Sequence, residues 1–444
     1  MSDSVTVCDV CAARSPALSA RVQCETCGGL LHIEHPEPPD CAAALRDFFD
    51  ARLLPQRAAR GAGAGDSGVW RFRELVMPGV GDAELVTQGE GITPLLSRTR
   101  VAQWCGVDDL LLKHEGHNPT GSFKDRGMTV AITQAKRIGA SAVACASTGN
   151  TSSALASYAA LAGLPALVLV PAGKVALGKL AQTIAYGART LIVRGDFDDC
   201  LRLAREASEQ LGVYLANSIN PWRLQGQQTI IFDLLQQLRW SSPDWLVLPA
   251  GNLGNTAAFG AALREAKRLG LVERVPRLAC IQAAGSAPFV ASFDVGFATR
   301  HVVRAETIAT AIRIGDPASH DRAVRAIQET DGVVIAVTDD EILEAKAIVD
   351  ASGVGCEPAS AASIAGTRAL VRRGIIAPGE RVVALLTGHM LKDPEVMLFY
   401  HRDMEPAPSH ANRNLEIEPT LREVERVLRA DAASGTVSPD SSRA

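Results

Sequence analysis

The chain has 444 residues, with 45 Lys plus Arg against 49 Asp plus Glu, a formal net charge of −4 and 47% apolar residues. At about 150 residues per domain this predicts two or three units; the apolar fraction excludes a wholly disordered chain, and the mild acidity argues against a nucleic-acid or acidic-membrane binder. With 38 glycines and 5% aromatic residues, an α/β enzyme is favoured over an all-β sandwich.

The N-terminal Met1-Ser2-Asp3-Ser4 has neither a positive start nor an apolar run, so no secretory signal and a cytoplasmic protein are expected. Of ten cysteines, Cys8, Cys11, Cys24 and Cys27 form C-x2-C-x12-C-x2-C, whereas Cys41, Cys105, Cys145, Cys200, Cys280 and Cys356 are scattered. Two such knuckles bring four thiolates onto one Zn²⁺, with no position left for water, so the site would be structural. Unpaired small residues or a redox pair are the alternatives; His32 and His35 are spare ligands of the same region. The stiff Pro36-Glu37-Pro38-Pro39 follows, then a helical stretch at 41–60 and a glycine-rich loop at 61–68. No solenoid repeat is visible.

From residue 106 onward short β-rich runs alternate with helical stretches. Strands are predicted at 109–113, 142–146, 166–170, 190–193, 245–249, 277–282, 333–337 and 381–386, and helices at 123–138, 151–161, 174–186 and 197–211. Such alternation implies parallel sheets with right-handed crossovers. The run from Ile138 to Gly173 carries no charge. It lacks the roughly 20 uninterrupted apolar residues of a membrane span, because Ser147-Thr148-Gly149-Asn150-Thr151, Gly163 and Pro165 break it; two buried strands and a helix are expected instead.

Ligands of parallel sheets sit at the carboxyl ends of strands, and three loops have that position. Asn118 to Gly127 carries Lys124 at the mouth of a helix, either a Schiff-base lysine or a surface lysine paired with Asp125. Ser147 to Thr151 offers hydroxyls and helix N-terminal N–H groups to an anion, more small polar residues than a single cap requires. Gly251-Asn252-Leu253-Gly254-Asn255-Thr256 can form an amide nest for a phosphate, or be an ordinary glycine turn; no Walker lysine follows it.

Taken in this order, the loops resemble those of the fold type II pyridoxal-phosphate enzymes, the tryptophan synthase beta-like family, and within it the threonine synthases. Further matching segments are Glu90-Gly91-Ile92-Thr93-Pro94-Leu95, Pro171-Ala172-Gly173-Lys174 with Leu177-Gly178-Lys179-Leu180, Asn217 to Gln227, Ala311-Ile312-Arg313-Ile314-Gly315, Glu357-Pro358-Ala359-Ser360 and Thr387 to Pro394. The likeness runs from about Trp70 to His401, and many similar chains carry an N-terminal cysteine knuckle.

The resemblance implies two open, mostly parallel α/β domains with the active site between them, plus a zinc-ribbon-like module. The expected boundaries are 1–36 for the knuckle, 37–112 for an extension and the start of the large domain, 113–222 for a smaller mobile domain, 223–404 for the large domain and 405–444 for a C-terminal helix and disordered tail. Carried over, Lys124 holds pyridoxal 5′-phosphate as a Schiff base, Asn150 meets its 3′-oxygen, Gly251, Asn252, Leu253, Gly254 and Asn255 hold its phosphate, and Thr387 meets the ring nitrogen. Ser147, Thr148, Thr151, Asn217, Ser218 and Arg223 line a second anion site, where the planar fork of an arginine suits a phosphorylated substrate. The implied reaction is γ-elimination followed by β-addition of water on O-phosphohomoserine, giving threonine and phosphate, with Lys124 as general base.

Several positions depart from the family pattern. Ile92 stands for a small polar residue, Gln225 and Gln228 for Glu and Lys, Asp316 for Asn, and Met390 for Gly; His114 and His117 flank the lysine loop. Met390 and Gln225 are expected to reshape the pocket. This keeps open a cysteate synthase-like or threonine dehydratase-like enzyme, a specialised replacement enzyme, or a non-catalytic scaffold with a zinc ribbon. A small-molecule substrate, no nucleic acid or membrane partner, and a homodimer are expected. After Pro419-Thr420, Leu421, Val424 and Leu428 mark an amphipathic helix that would pack on the chain's own core or on a dimer partner, and the last dozen residues are expected to be disordered.

Overall fold

A strand buried on both faces is apolar through most of its length, and most of the runs read from the sequence are of this kind. A computed structural model describes residues 4–38, 41–53, 66–173 and 177–433. It divides into two units, Met1–Val396 and Met397–Ala444.

At the N-terminus, β1 (Val5–Cys8), β2 (Arg14–Pro16) and β3 (Leu31–Glu34) form an antiparallel sheet in the order β2-β1-β3. The helices α1 (Ala42–Ala51) and α2 (Arg73–Val76) follow; the expected helix and loop from 54 to 65 lie outside the described residues. Next come β4 (Leu95–Ser97), α3 (Thr99–Cys105), β5 (Asp109–His114), α4 (Lys124–Arg137), β6 (Ala142–Ala146), α5 (Asn150–Ala162) and β7 (Ala166–Pro171). The chain continues through α6 (Leu177–Ala185), β8 (Arg189–Val193), α7 (Phe197–Leu211), β9 (Val213–Leu215) and α8 (Pro221–Gln237). Then follow β10 (Trp245–Pro249), α9 (Gly254–Arg268), β11 (Arg277–Ala283), α10 (Pro288–Asp294), α11 (His320–Glu329), β12 (Val333–Val337), α12 (Asp339–Asp350), α13 (Pro358–Arg372), β13 (Arg381–Leu386) and α14 (Pro394–Leu398).

Two further sheets result. The larger has the order β12-β11-β10-β13-β5-β4, parallel except for β4, which runs antiparallel to β5. The smaller, β8-β7-β6-β9, is parallel throughout. The charge-free run supplies β6, α5 and β7, with Val143, Cys145, Leu155, Tyr158 and Val168 all buried. Among the described residues no helix is long and apolar enough to cross a membrane. In the second unit α15 (Leu421–Ala433) starts where Thr420 Oγ1 accepts from Glu423 N–H at 3.4 Å, and its stripe of Leu421, Val424 and Leu428 is exposed. The expected disordered tail, from 434, lies outside the described residues.

Helices α4 and α8 cross closely enough to fix the site. A Cβ on Gly226 would sit 1.9 Å from the Arg126 carbonyl oxygen, and one on Gly127 would sit 2.8 Å from that of Arg223; only glycines permit this approach. Beside the crossing lie five ionised side chains with no exposed surface. Asp233 pairs with Arg71, with Lys113 Nζ at 2.9 Å and with Arg126 Nη2 at 2.5 Å, and Arg126 Nε donates to Glu115 at 2.7 Å. Burial alone would raise the Asp233 carboxyl, but Lys113, Arg126 and Arg71 together hold it well below the usual carboxylate range. Its contribution to stability is therefore complete above the ordinary aspartate pKa and is lost as the pH falls through the depressed native value. Asp233→Ala would strand three buried cations. It is expected to cost about 3–5 kcal/mol, read as a lower urea midpoint; a loss under about 1 kcal/mol would show that the cluster carries no such weight.

Candidate active site

Each strand that matters ends at the same rim. β5 leads into the loop before Lys124, β6 into Ser147-Thr148-Gly149 and α5, β9 into Ala216–Asn220 and α8, β10 into Gly251-Asn252-Leu253 and α9, and β13 into Thr387-Gly388-His389. A parallel sheet presents its ligand loops in this way.

The lysine and threonine loops are stitched directly. Ser122 and Gly388 form an antiparallel bridge, Phe123 N–H donates to Thr387 O at 3.0 Å, and His389 N–H donates to Gly121 O at 2.9 Å. Lys124, the first residue of α4, is half-buried with its Nζ 4.1 Å from the centre of the Phe123 ring. Burial and the neighbouring Arg223 charge bring its amine down to about 7, against an opposing pull from Glu357. That is the value a lysine needs to be neutral near physiological pH.

Arg223 is fully buried in the first turn of α8, whose start is capped by Asn220 Oδ1. Its Nη1 donates to Ala216 O at 3.0 Å, while Nε and Nη2 have no hydrogen-bond partner. Burial lowers the guanidinium to about 10, so it keeps its charge, and no carboxylate among the described residues pairs with it.

The β10–α9 turn is built for close approach. Leu253 is held at φ 61, a left-handed conformation costly for a residue with a side chain, and a Cβ on Gly251 would meet Ile312 Cα at 2.9 Å. Asn252 braces the turn: its Nδ2 donates to Ser218 Oγ at 2.6 Å and its Oδ1 accepts from Ala318 N–H at 2.7 Å. The amides of Gly254 and Asn255 open α9 without an acceptor among the described residues, and Asn255 Oδ1 is buried without a partner.

The other expected residues divide by partner. Ser147 Oγ accepts from Gly149 N–H at 3.3 Å; Thr148 and Thr151 are half-buried at the α5 N-terminus. The Asn217 amide spends both its atoms on the Ala146 backbone, at 3.0 Å each, and so braces β6. Asn150 Nδ2 donates to Glu357 Oε2 at 2.9 Å, and the Thr387 hydroxyl shares a hydrogen bond with Glu357 Oε1 at 3.0 Å. Glu357 thus joins two expected site residues, a role its segment gave no sign of beyond a helix start at Pro358.

The departures land differently from expectation. Gln225, expected in the pocket, is buried on the other face of α8, where its Oε1 lies 3.3 Å from His35 Nε2 of the N-terminal module. Gln228 lines a cavity of about 440 Å³ between that module and α8, α9 and α11. Met390 sits against Gly355, where an added Cβ would meet its Sδ at 2.8 Å. Asp316 pairs with Arg300 at the surface, and Ile92 is exposed at φ 50. His114 is buried with its Nε2 2.8 Å from Gly355 O and its ring 4.6 Å from that of His117.

In the N-terminal module the Sγ atoms of Cys8, Cys11, Cys24 and Cys27 all lie within 4.8 Å of one another, the only such cluster among the described residues. Gly29 lets the chain pass, since a Cβ there would be 2.9 Å from Cys8 Sγ. Amides of Cys27 and Thr26 lower the Cys24 thiol to about 6; Cys27, donating toward its neighbours' sulfurs, is held up to about 12 although the Gly29 amide works the other way. Neither His32 nor His35 joins the cluster: His32 Nδ1 lies 2.7 Å from Asp9, and His35 Nδ1 lies 2.8 Å from Ser4 Oγ.

Comparison with known proteins identifies the family. The family model described as "Pyridoxal-phosphate dependent enzyme" matches residues 86–388. A threonine synthase of Methanosarcina acetivorans is 49% identical over 350 residues, 78% of this chain and 85% of that protein. One from Methanocaldococcus jannaschii is 43% identical over 379 residues, 84% and 89% of the two chains. Among solved structures, threonine synthase from Escherichia coli superposes with a TM-score of 0.67 at 20% identity, covering 92% of this chain and 90% of that one. Maize serine racemase superposes at 0.60 with 21% identity, covering 72% and 92%, a likeness of fold. The chain belongs to the family of pyridoxal-phosphate-dependent enzymes, and within it to the threonine synthases.

Proposed function

We propose that this protein converts O-phosphohomoserine and water into threonine and phosphate. The observation that carries the reading is Arg223, a buried guanidinium with two nitrogens unpartnered and no carboxylate paired with it among the described residues. A buried charge left alone is strongly unfavourable. Its partner must therefore arrive with the ligand, and a phosphate that accepts two parallel hydrogen bonds matches its fork. A serine or threonine deaminase has no phosphate to offer there.

The residues present fit pyridoxal 5′-phosphate. The free amides of Gly254 and Asn255, with Gly251, Asn252 and Leu253, suit its phosphate; Asn150 suits the ring oxygen and Thr387 the ring nitrogen; and the lowered Lys124 amine suits a Schiff base. Bound there, the cofactor supplies an electron sink for carbanion chemistry at the substrate's α-carbon. The Lys124 amine would take the α-proton and later a β-proton of the substrate, its neutral form favoured by burial and by Arg223. Arg223, with Ser147, Thr148, Thr151 and Ser218 as further donors and Asn217 bracing the strand end, would hold the γ-phosphate before and after it departs. Water then adds at the β-carbon.

The four cysteines suit a structural zinc ion that occupies all four sulfurs. The module they would fix touches the enzyme through Asp9 with Arg322 at 2.5 Å and His35 with Gln225. The form proposed is a cytoplasmic homodimer, on the family's resemblance.

Four outcomes are expected. Purified protein releases phosphate from O-phosphohomoserine with matching threonine; ammonia from threonine without phosphate release would sink the assignment in favour of a dehydratase. Arg223→Ala lowers kcat/KM by about 10²–10³-fold, as loss of two charge-assisted hydrogen bonds predicts, whereas Lys124→Ala removes both turnover and the cofactor's visible absorption. Uptake of cofactor by apoprotein accelerates as pH rises through about 7, because only the neutral Lys124 amine reacts; a pH-independent rate contradicts this. Metal analysis finds one zinc per chain, lost in Cys11→Ser and Cys27→Ser; a metal-free, fully active protein overturns the zinc site.

A further inference from the structure

Glu357 is 3% exposed, stands next to the Pro358 that opens α13, and pairs with no cation among the described residues. Its backbone N–H donates to Gly388 O at 3.0 Å. Each of its oxygens has one side-chain neighbour, Asn150 Nδ2 at Oε2 and Thr387 Oγ1 at Oε1. Thr387 Oγ1 is also 3.0 Å from Ser360 Oγ, which itself accepts from Gly388 N–H at 3.0 Å.

Charged groups face it from several elements. Lys392 spends its Nζ elsewhere, on Thr120 O and Ser153 Oγ at 3.0 Å and on Gln182 Oε1 at 2.5 Å. Lys124 lies on the site side with its amine already lowered, Asp393 adds a like charge, and the adjacent Cys356 carries a buried thiol. Burial raises the Glu357 carboxyl, against the pull of Asn150, Thr387 and Lys392. An ionised carboxylate here would be buried with no cation in direct contact among the described residues, an expensive arrangement. A neutral carboxyl group satisfies both contacts: its carbonyl oxygen accepts from Asn150 and its hydroxyl donates to Thr387. The Thr387 hydroxyl proton is then free to point away from Glu357.

We propose that Glu357 works as a neutral carboxylic acid, a positioning residue that donates to Thr387 and so turns the Thr387 proton toward the cofactor's ring nitrogen, keeping that nitrogen unprotonated. This rests on the reading of Thr387 given under Proposed function.

The test follows from the shape of the amide. Glu357→Gln keeps a carbonyl for Asn150 and an N–H donor for Thr387, whereas Glu357→Ala leaves both unpartnered. In the wild-type minus Glu357→Gln infrared difference spectrum at neutral pH, a protonated-carboxyl C=O stretch is expected; its absence overturns the proposal. The loaded enzyme, carrying ¹⁵N-labelled pyridoxal phosphate, is expected to give the resonance of an unprotonated pyridine nitrogen, and a pyridinium resonance overturns it. Glu357→Ala should lower kcat by about a hundredfold with KM little changed, the scale of two unpartnered buried groups, and Glu357→Gln should recover most of that loss. A folded glutamine variant whose kcat falls about a hundredfold below wild type would mean that the ionised form is needed, and would refute the proposal whether or not Glu357→Ala folds. Wild-type protein that takes up no cofactor and releases no phosphate defeats the functional reading instead, while the infrared band still decides the state of Glu357.

Discussion

The ion cluster around Asp233 fixes the two helices from which the site is made. α4 begins at Lys124 and carries Arg126; α8 carries Arg223 near its start and Asp233 further along. Pairing Arg126 with Asp233 and Glu115, inside a medium that penalises any unpaired charge, sets the register of one helix against the other and against β5. The glycines at 127 and 226 then allow the contact distance. The nearness of the Lys124 amine to the Arg223 guanidinium follows from that crossing, and the lowered lysine follows from that nearness. Charges that stabilise the fold thus lie on the same two helices as charges available for chemistry.

Around this crossing the rim is held by single polar bonds between loops. Ser218 meets Asn252, Asn150 meets Glu357, and Thr387 meets both Glu357 and the backbone of Phe123. Each bond joins the end of one strand to the start of another element, so the sheets dictate where the loops arise and the loops settle their own spacing. The arrangement places neutral donors beside two anion-seeking regions.

Much of this was legible in the residues. Buried parallel strands are continuous apolar runs, and all eight expected ones appear within a residue of their predicted ends. β4 and β9, three residues each, are too short to stand out from loop sequence, and the N-terminal strands were masked by the cysteine spacing. The five members of the ion cluster are scattered between Arg71 and Asp233, and nothing local marks them as partners. Gln225 was misread, although helix geometry held the answer: two residues after Arg223 is about 200° around the axis, so the two side chains must face opposite ways. Glu357 went unassigned because a carboxylate before a helix-opening proline is an ordinary helix start.

Arg223 has one more consequence. A guanidinium buried without a counter-ion does not distinguish a phosphate ester from free orthophosphate, because both present the same oxygens to its fork. The group that captures the substrate is therefore also the group that retains the product. Under the proposed reaction, orthophosphate would compete with substrate for the same nitrogens, and flux through the enzyme would fall as the surrounding phosphate pool rises, without any separate regulatory site.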